Sequence, residues 1–204
     1  MIKKGSWILL GLLAVLVGLY PGIYFLADRK FGLLSSKTDY LLGNIFWNIG
    51  FYTHIILGGV ALLIGWIQFS SFIRNKYLHL HRLTGKVYVV AVLLSSLAGI
   101  GIGIFATGGP VAAIGFVCLG ITWFTTTLMA YIYIRDMQVE RHEKMMIYSY
   151  AACFAAVTLR IWLPLLSGLL GDFITAYRIV AWLCWVPNLI VASLLCRRVA
   201  VARI

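Results

Sequence analysis

Carboxylates are nearly missing from this sequence: its 204 residues include six aspartates and glutamates, and none of them lies inside a long apolar run. Any cation within such a run is therefore without an acidic partner at its own depth. Cysteine is scarce as well. The four present (Cys118, Cys153, Cys184, Cys196) show no CxxC spacing and sit within apolar runs, which reads as buried small hydrophobes and not as a disulfide framework. The HEKMM run at 142–146 lacks the second histidine of HExxH, so a metalloprotease has no motif. No glycine loop is built to cradle phosphate and no nucleophile elbow occurs, which leaves kinase, NTPase and hydrolase chemistry without support. A zinc site is disfavoured because His79 and His81 stand one residue apart in an expected loop, with no thiolate or carboxylate beside them. Charged residues make up only 11% of the chain, which excludes a soluble domain.

What is there is apolar. Hydrophobic residues are 62% of the chain, and they gather into six runs long enough to cross a bilayer. The expected spans are 7–26, 46–69, 83–106, 111–134, 145–165 and 174–195, joined by short loops. The fold class is all-α: a polytopic, six-transmembrane-helix bundle forming a single domain over 1–204. The net charge of +11 invites a nucleic-acid reading, but its distribution argues against one. Lys3, Lys4, Arg74, Lys76, Arg82, Lys86, Arg135, Arg141, Lys144, Arg197, Arg198 and Arg203 fall on one side of an alternately threaded chain. Arg29, Lys30 and Lys37 fall on the other, with Arg160 and Arg178 near helix ends. This positive-inside pattern predicts cytoplasmic N and C termini in the inner (cytoplasmic) membrane, with the lipid bilayer as partner and no nucleic acid. Some attraction to anionic headgroups follows from the same charges. The N-terminal run resembles a signal peptide without a small-residue cleavage site, and reads as an uncleaved anchor that Pro21-Gly22 kinks or ends. Pro187 is the other candidate kink.

The polar residues inside these runs form stripes. Between 141 and 164, His142, Ser149, Cys153 and Arg160 share one face of a spanning helix, and the outer two lie roughly 27 Å apart along the axis. In the second span His54, Gly58, Ala61, Gly65 and Gln68 form another, and in the third Ser95, Gly99 and Gly103 make a small-residue stripe. Ionisable groups in a membrane helix are functional-site candidates by default, because leaving them unpaired in lipid is costly. Two layers result. The inner one holds Gln68, His79, His81, Arg82, Tyr88 and His142, and the outer one His54 and Arg160. His81 and His142 fit axial ligation of a haem iron, with Arg82, Lys86 or Lys144 on the propionates. Arg160 either snorkels, reaches a loop carboxylate such as Asp172, or holds an anionic or carbonyl-bearing ligand.

Three pieces of the chain carry a family resemblance: His54-x-x-x-Gly58 followed by Gln68, the run His81-Arg82-Leu83-Thr84-Gly85-Lys86-x-Tyr88, and Arg141-His142 through Arg160-x-Trp162-Leu163-Pro164. On these the chain resembles the uncharacterised bacterial integral-membrane family named domain of unknown function 2306. The resemblance implies a multi-span protein marked at His54, Gln68, His81, Arg82, His142, Ser149 and Arg160. Glu143-Lys144-Met145 departs from the basic-aromatic-methionine run expected there. Two functions remain open: a redox protein binding haem b or a quinone through His54, Gln68, His81, Arg82, His142 and Arg160, or a small-molecule binder or transporter using His54 and Arg160. Substrate, enzymatic activity and a homo-oligomeric state are left undecided by the sequence.

Overall fold

The computed structural model describes residues 4–28 and 30–201, so Lys3, Arg29 and Arg203 of the charge pattern lie outside it. Its described residues contain no strand. Six helical stretches are long and apolar enough to cross a bilayer: Trp7–Phe25, Ile45–Phe69, Leu78–Gly103, Pro110–Arg135, Val139–Leu170 and Phe173–Arg197. Many of their large apolar side chains are exposed, among them Leu16, Phe46, Leu94, Leu169 and Ile190, as lipid-facing surfaces require. Packing divides the chain into two compact units, Met1–Ala98 and Gly99–Ile204.

In the first unit, α1 (Lys4–Leu19) passes into a 3-10 turn over Tyr20–Phe25. Pro21 has no N–H to continue the α-helical ladder, so the expected end of the helix falls where the Pro-Gly pair sits. A second 3-10 turn (Gly32–Ser36) and the short α2 (Asp39–Gly43), capped by Thr38, lead to α3 (Ile45–Gly65). Asn44 starts α3 by accepting from Trp47 N at 3.0 Å. On the loop before α2, burial of Lys37 lowers its amine to about 8. The backbones of α1 and α3 meet at two glycines: a Cβ on Gly59 would stand 2.6 Å from Gly18 O, and one on Gly18 would stand 2.6 Å from Leu63 Cγ. A 3-10 turn (Trp66–Phe69) and α4 (Ser71–Lys76) connect to α5 (Leu78–Gly103). Thus α5 begins five residues before the expected position, and His79, His81 and Arg82 lie on its first turns, not in a loop. Polar residues at a helix end cost nothing where the helix emerges among headgroups, so the apolar run underestimates its length.

In the second unit, Gly108 and Gly109 (φ 98° and 77°) make a turn that side chains rarely tolerate, and Pro110 then opens α6 (Pro110–Arg135). A tight connection through Met137, itself at φ 59°, leads to α7 (Val139–Cys153). The fifth span is longer than expected and is interrupted: α7 stops at Cys153, and α8 (Ala155–Leu170) starts after Phe154. The common face proposed for His142 and Arg160 presumed an uninterrupted helix, and that premise fails at Phe154. The last span is broken too, between α9 (Phe173–Leu183) and α10 (Val186–Val201), at the kink expected from Pro187. Gly171 in the left-handed region ends α8, and Asp172 caps α9 by accepting from Ile174 N and Thr175 N. Hydrogen bonds from Thr175, then from Ile174, hold the Asp172 carboxyl below its usual range, so this cap persists down to acidic pH.

Candidate functional site

Of the six candidate residues, His54, Gln68, His81 and Arg82 belong to the first unit and His142 and Arg160 to the second. In the first unit His54 is half-buried and tied to α5. Its Nδ1 lies 2.9 Å from Ser95 O, while Ser95 Oγ donates back to His54 O at 2.8 Å. A carbonyl only accepts, so Nδ1 carries the proton and Nε2 is the lone-pair nitrogen of the neutral ring. Ser95 is fully buried, which shields this reciprocal clasp from competing water. The Ser95 stripe noted in the sequence therefore does more than permit close packing: it orients an imidazole.

Gln68 is buried at the end of the second span, and its Nε2 donates to Thr84 Oγ1, whose hydroxyl donates to Leu80 O at 2.7 Å. The amide thus joins the turn after α3 to α5 one helical turn beyond His81. A Cβ on Gly85 would stand 3.5 Å from Gln68 Oε1, ordinary contact, so the glycine of this motif is not required by crowding against Gln68. His81 is half-buried, whereas His79, Arg82 and Lys86 are exposed.

In the second unit His142 repeats the arrangement of His54. Its Nδ1 donates to Ala130 O on α6 at 2.8 Å, which again makes Nε2 the acceptor nitrogen. Two turns further along α7, the fully buried Ser149 hydrogen-bonds Thr127 on α6 at 2.6 Å. The two bonds hold α7 against α6 in a single rotational setting and so fix which way the imidazole points. Arg160 is half-buried, and its Nη1 donates to Ala156 O on its own helix at 2.8 Å. Cys153 is buried on the same α7 face as Ser149, consistent with the packing role expected of it.

Sequence reasoning missed a polar seam at the two helix breaks. Thr158 Oγ1 donates to Cys184 O, and Asn188 Nδ2 reaches Cys184 O at 3.0 Å and both Thr158 Oγ1 and Ala151 O at 3.2 Å. Pro187 was the available signal: a proline in a span disturbs the ladder over the turn before it, and carbonyls left without N–H donors around such a break must be met by neighbouring side chains. Among the described residues no group of three or more histidine, cysteine, aspartate or glutamate side chains forms a metal cluster. The chain matches the family described as "Predicted membrane protein (DUF2306)" over residues 51–196. No curated protein and no solved structure matches it.

Proposed function

We infer that this chain, which belongs to the predicted membrane protein family DUF2306, carries a redox cofactor, haem b or a quinone, held through an imidazole Nε2. The observation behind this reading is the Nδ1–H bond from His142 to Ala130 O. Histidines that ligate metals commonly donate the other ring N–H to a carbonyl, which fixes tautomer and orientation and raises ligand basicity. The same lone pair suits either a haem iron or the hydroxyl of a quinol. His54, oriented by Ser95, offers a second imidazole of the same kind in the first unit. Within the first unit Gln68, His81 and Arg82 are the polar groups available to a cofactor on His54, and within the second Arg160 is the one available to a cofactor on His142; electron transfer would be the cofactor's contribution. The positive-inside count supports cytoplasmic termini in a cytoplasmic membrane.

An absorption spectrum tests it. Protein purified from haem-replete cells is expected to show a Soret band that His142→Ala removes while the helical circular dichroism is retained. If haem is not the ligand, ubiquinol-2, whose hydroxyl can donate to Nε2, is expected to raise the thermal midpoint of wild type but not of the variant. A colourless preparation that neither takes up added haemin nor responds to ubiquinol-2 sinks the reading.

A different observation favours a second reading, a small-molecule binder or transporter. The last two spans are both interrupted midway, and discontinuous helices are where membrane transporters build substrate sites. Arg160 lies less than two turns beyond the Phe154 interruption, a fitting place for a cation that holds a carboxylate. A panel of small carboxylates is then expected to contain one that stabilises wild type and not Arg160→Ala. Equal shifts in both proteins would discard this site.

A further inference from the structure

The connection between the second and third spans and the first turns of α5 hold four cations, Arg74, Lys76, Arg82 and Lys86, and no carboxylate. In fact no aspartate or glutamate occurs anywhere from 40 to 135. The connection between the fourth and fifth spans is balanced instead: Arg135, Arg141 and Lys144 accompany Asp136, Glu140 and Glu143. There Lys144 pairs with Glu140 at 2.6 Å, and Arg141 donates to Gln138 at 2.8 Å. For topology the two connections are nearly equivalent, because that rule counts lysines and arginines and gives carboxylates little weight. For binding phosphate they differ completely, since local carboxylates cancel the field.

The geometry of α5 adds a second, independent feature. Its exposed apolar side chains run from Leu83 through Val87, Val90 and Leu94 to Leu97, in alternating steps of four and three that trace one straight stripe. Steps of three and four also carry His79 to Arg82 to Lys86, all exposed, on a neighbouring line at one end of that stripe. Beyond Lys86 the stripe continues for roughly 16 Å to Leu97, against about 15 Å for the acyl depth of one leaflet. Phe72 on α4 and Tyr77 just before α5 are exposed, with Lys76 Nζ 5.5 Å and 5.6 Å from their ring centroids. Exposed aromatic rings next to a cation belong at headgroup level.

We propose that α4 and the first turns of α5 form a binding site for an anionic phospholipid, with its phosphate on Arg82 and Lys86 and one acyl chain along the Leu83–Leu97 stripe. This goes beyond the cofactor reading and does not need it. Lys76, held over Phe72 and Tyr77, supplies further positive charge in the connection leading into α5. A water-soluble polyanion would use the cations but not the apolar stripe, and that separates it from a lipid.

Native mass spectrometry of the full chain in detergent, offered equal amounts of phosphatidylglycerol and phosphatidylcholine, tests the site. The first bound lipid is expected to be phosphatidylglycerol by roughly fivefold or more, from the attraction of each basic residue for an anionic headgroup. Arg82→Gln with Lys86→Gln is expected to bring that ratio close to one, while Arg135→Gln with Arg141→Gln leaves it at the wild-type value. Retention of the preference in the first pair, or an equal loss in the second, overturns the proposal. Should the first pair fail to fold, wild type decides: the preference must collapse at about 0.5 M ammonium acetate, where exposed charges are screened, and its persistence there refutes the site. Glycerol phosphate, which lacks acyl chains, is expected to leave the ratio unchanged; displacement of the lipid by it would also refute the site.

Discussion

Gly59→Ala is expected to destabilise the first unit by about 3 kcal/mol, a large effect for one methyl group. Two terms of opposite sign compete. Replacing a mid-helix glycine by alanine ordinarily stabilises by up to about 1 kcal/mol through reduced backbone freedom. Here the new Cβ would stand 2.6 Å from Gly18 O and 3.2 Å from Pro21 Cγ. A backbone carbonyl and a proline ring cannot rotate out of the way as the end of a flexible side chain can, so α1 has to move away from α3 as a body. Overpacking of that kind outweighs the propensity gain. Gly101→Ala on α5 is the matched control, because nothing lies within 4 Å of its added Cβ, and there the sign is expected to reverse. Thermal unfolding of both variants in the same detergent decides the matter; a neutral or stabilised Gly59→Ala would mean the helices are not in contact at this pair.

Gly58, Ala61 and Gly65 stand out in the sequence because they align with His54 and Gln68, and that stripe does include the clasp to Ser95. One residue further round the helix, Gly59 faces α1 instead, and no polar marker singles it out. The number and order of the spans were legible because run length is a direct readout of bilayer thickness. Their ends were not, since His79, His81 and Arg82, like the 139–144 segment, continue helices into a polar layer where hydropathy carries no signal. The imidazoles were legible as residues, but their partners were not. Ala130 O and Ser95 O are backbone acceptors, and no side-chain pattern announces a backbone acceptor. Phe154 illustrates the same limit from another direction: neither proline nor glycine marks the break, and it becomes intelligible only through what Asn188 does opposite Ala151.

Asn188→Leu is expected to cost the second unit about 2 kcal/mol, although it replaces a polar residue in a membrane span by an apolar one. Transfer energetics alone predict the opposite sign, since an amide is expensive in lipid and leucine is not. The amide, however, is already spent on groups that have no other donor within the interrupted ladders. Its Nδ2 reaches Ala151 O at the end of α7 and Cys184 O at the end of α9, and it also meets Thr158 Oγ1. Removing it strands Ala151 O and leaves Cys184 O to Thr158 alone, and carbonyls without donors in the apolar layer are the costly outcome. Thr158→Val removes the other donor to Cys184 O, so the two substitutions are coupled. A double-mutant cycle is therefore expected to return an interaction energy between about 0.6 and 1.7 kcal/mol, the average and the maximum for hydrogen bonds between membrane helices. Hydrogen exchange should localise the loss to the junctions around Phe154 and Cys184. Strict additivity of the two variants, with exchange unchanged at those junctions, would show that the breaks are held by packing and that the amide is incidental to them.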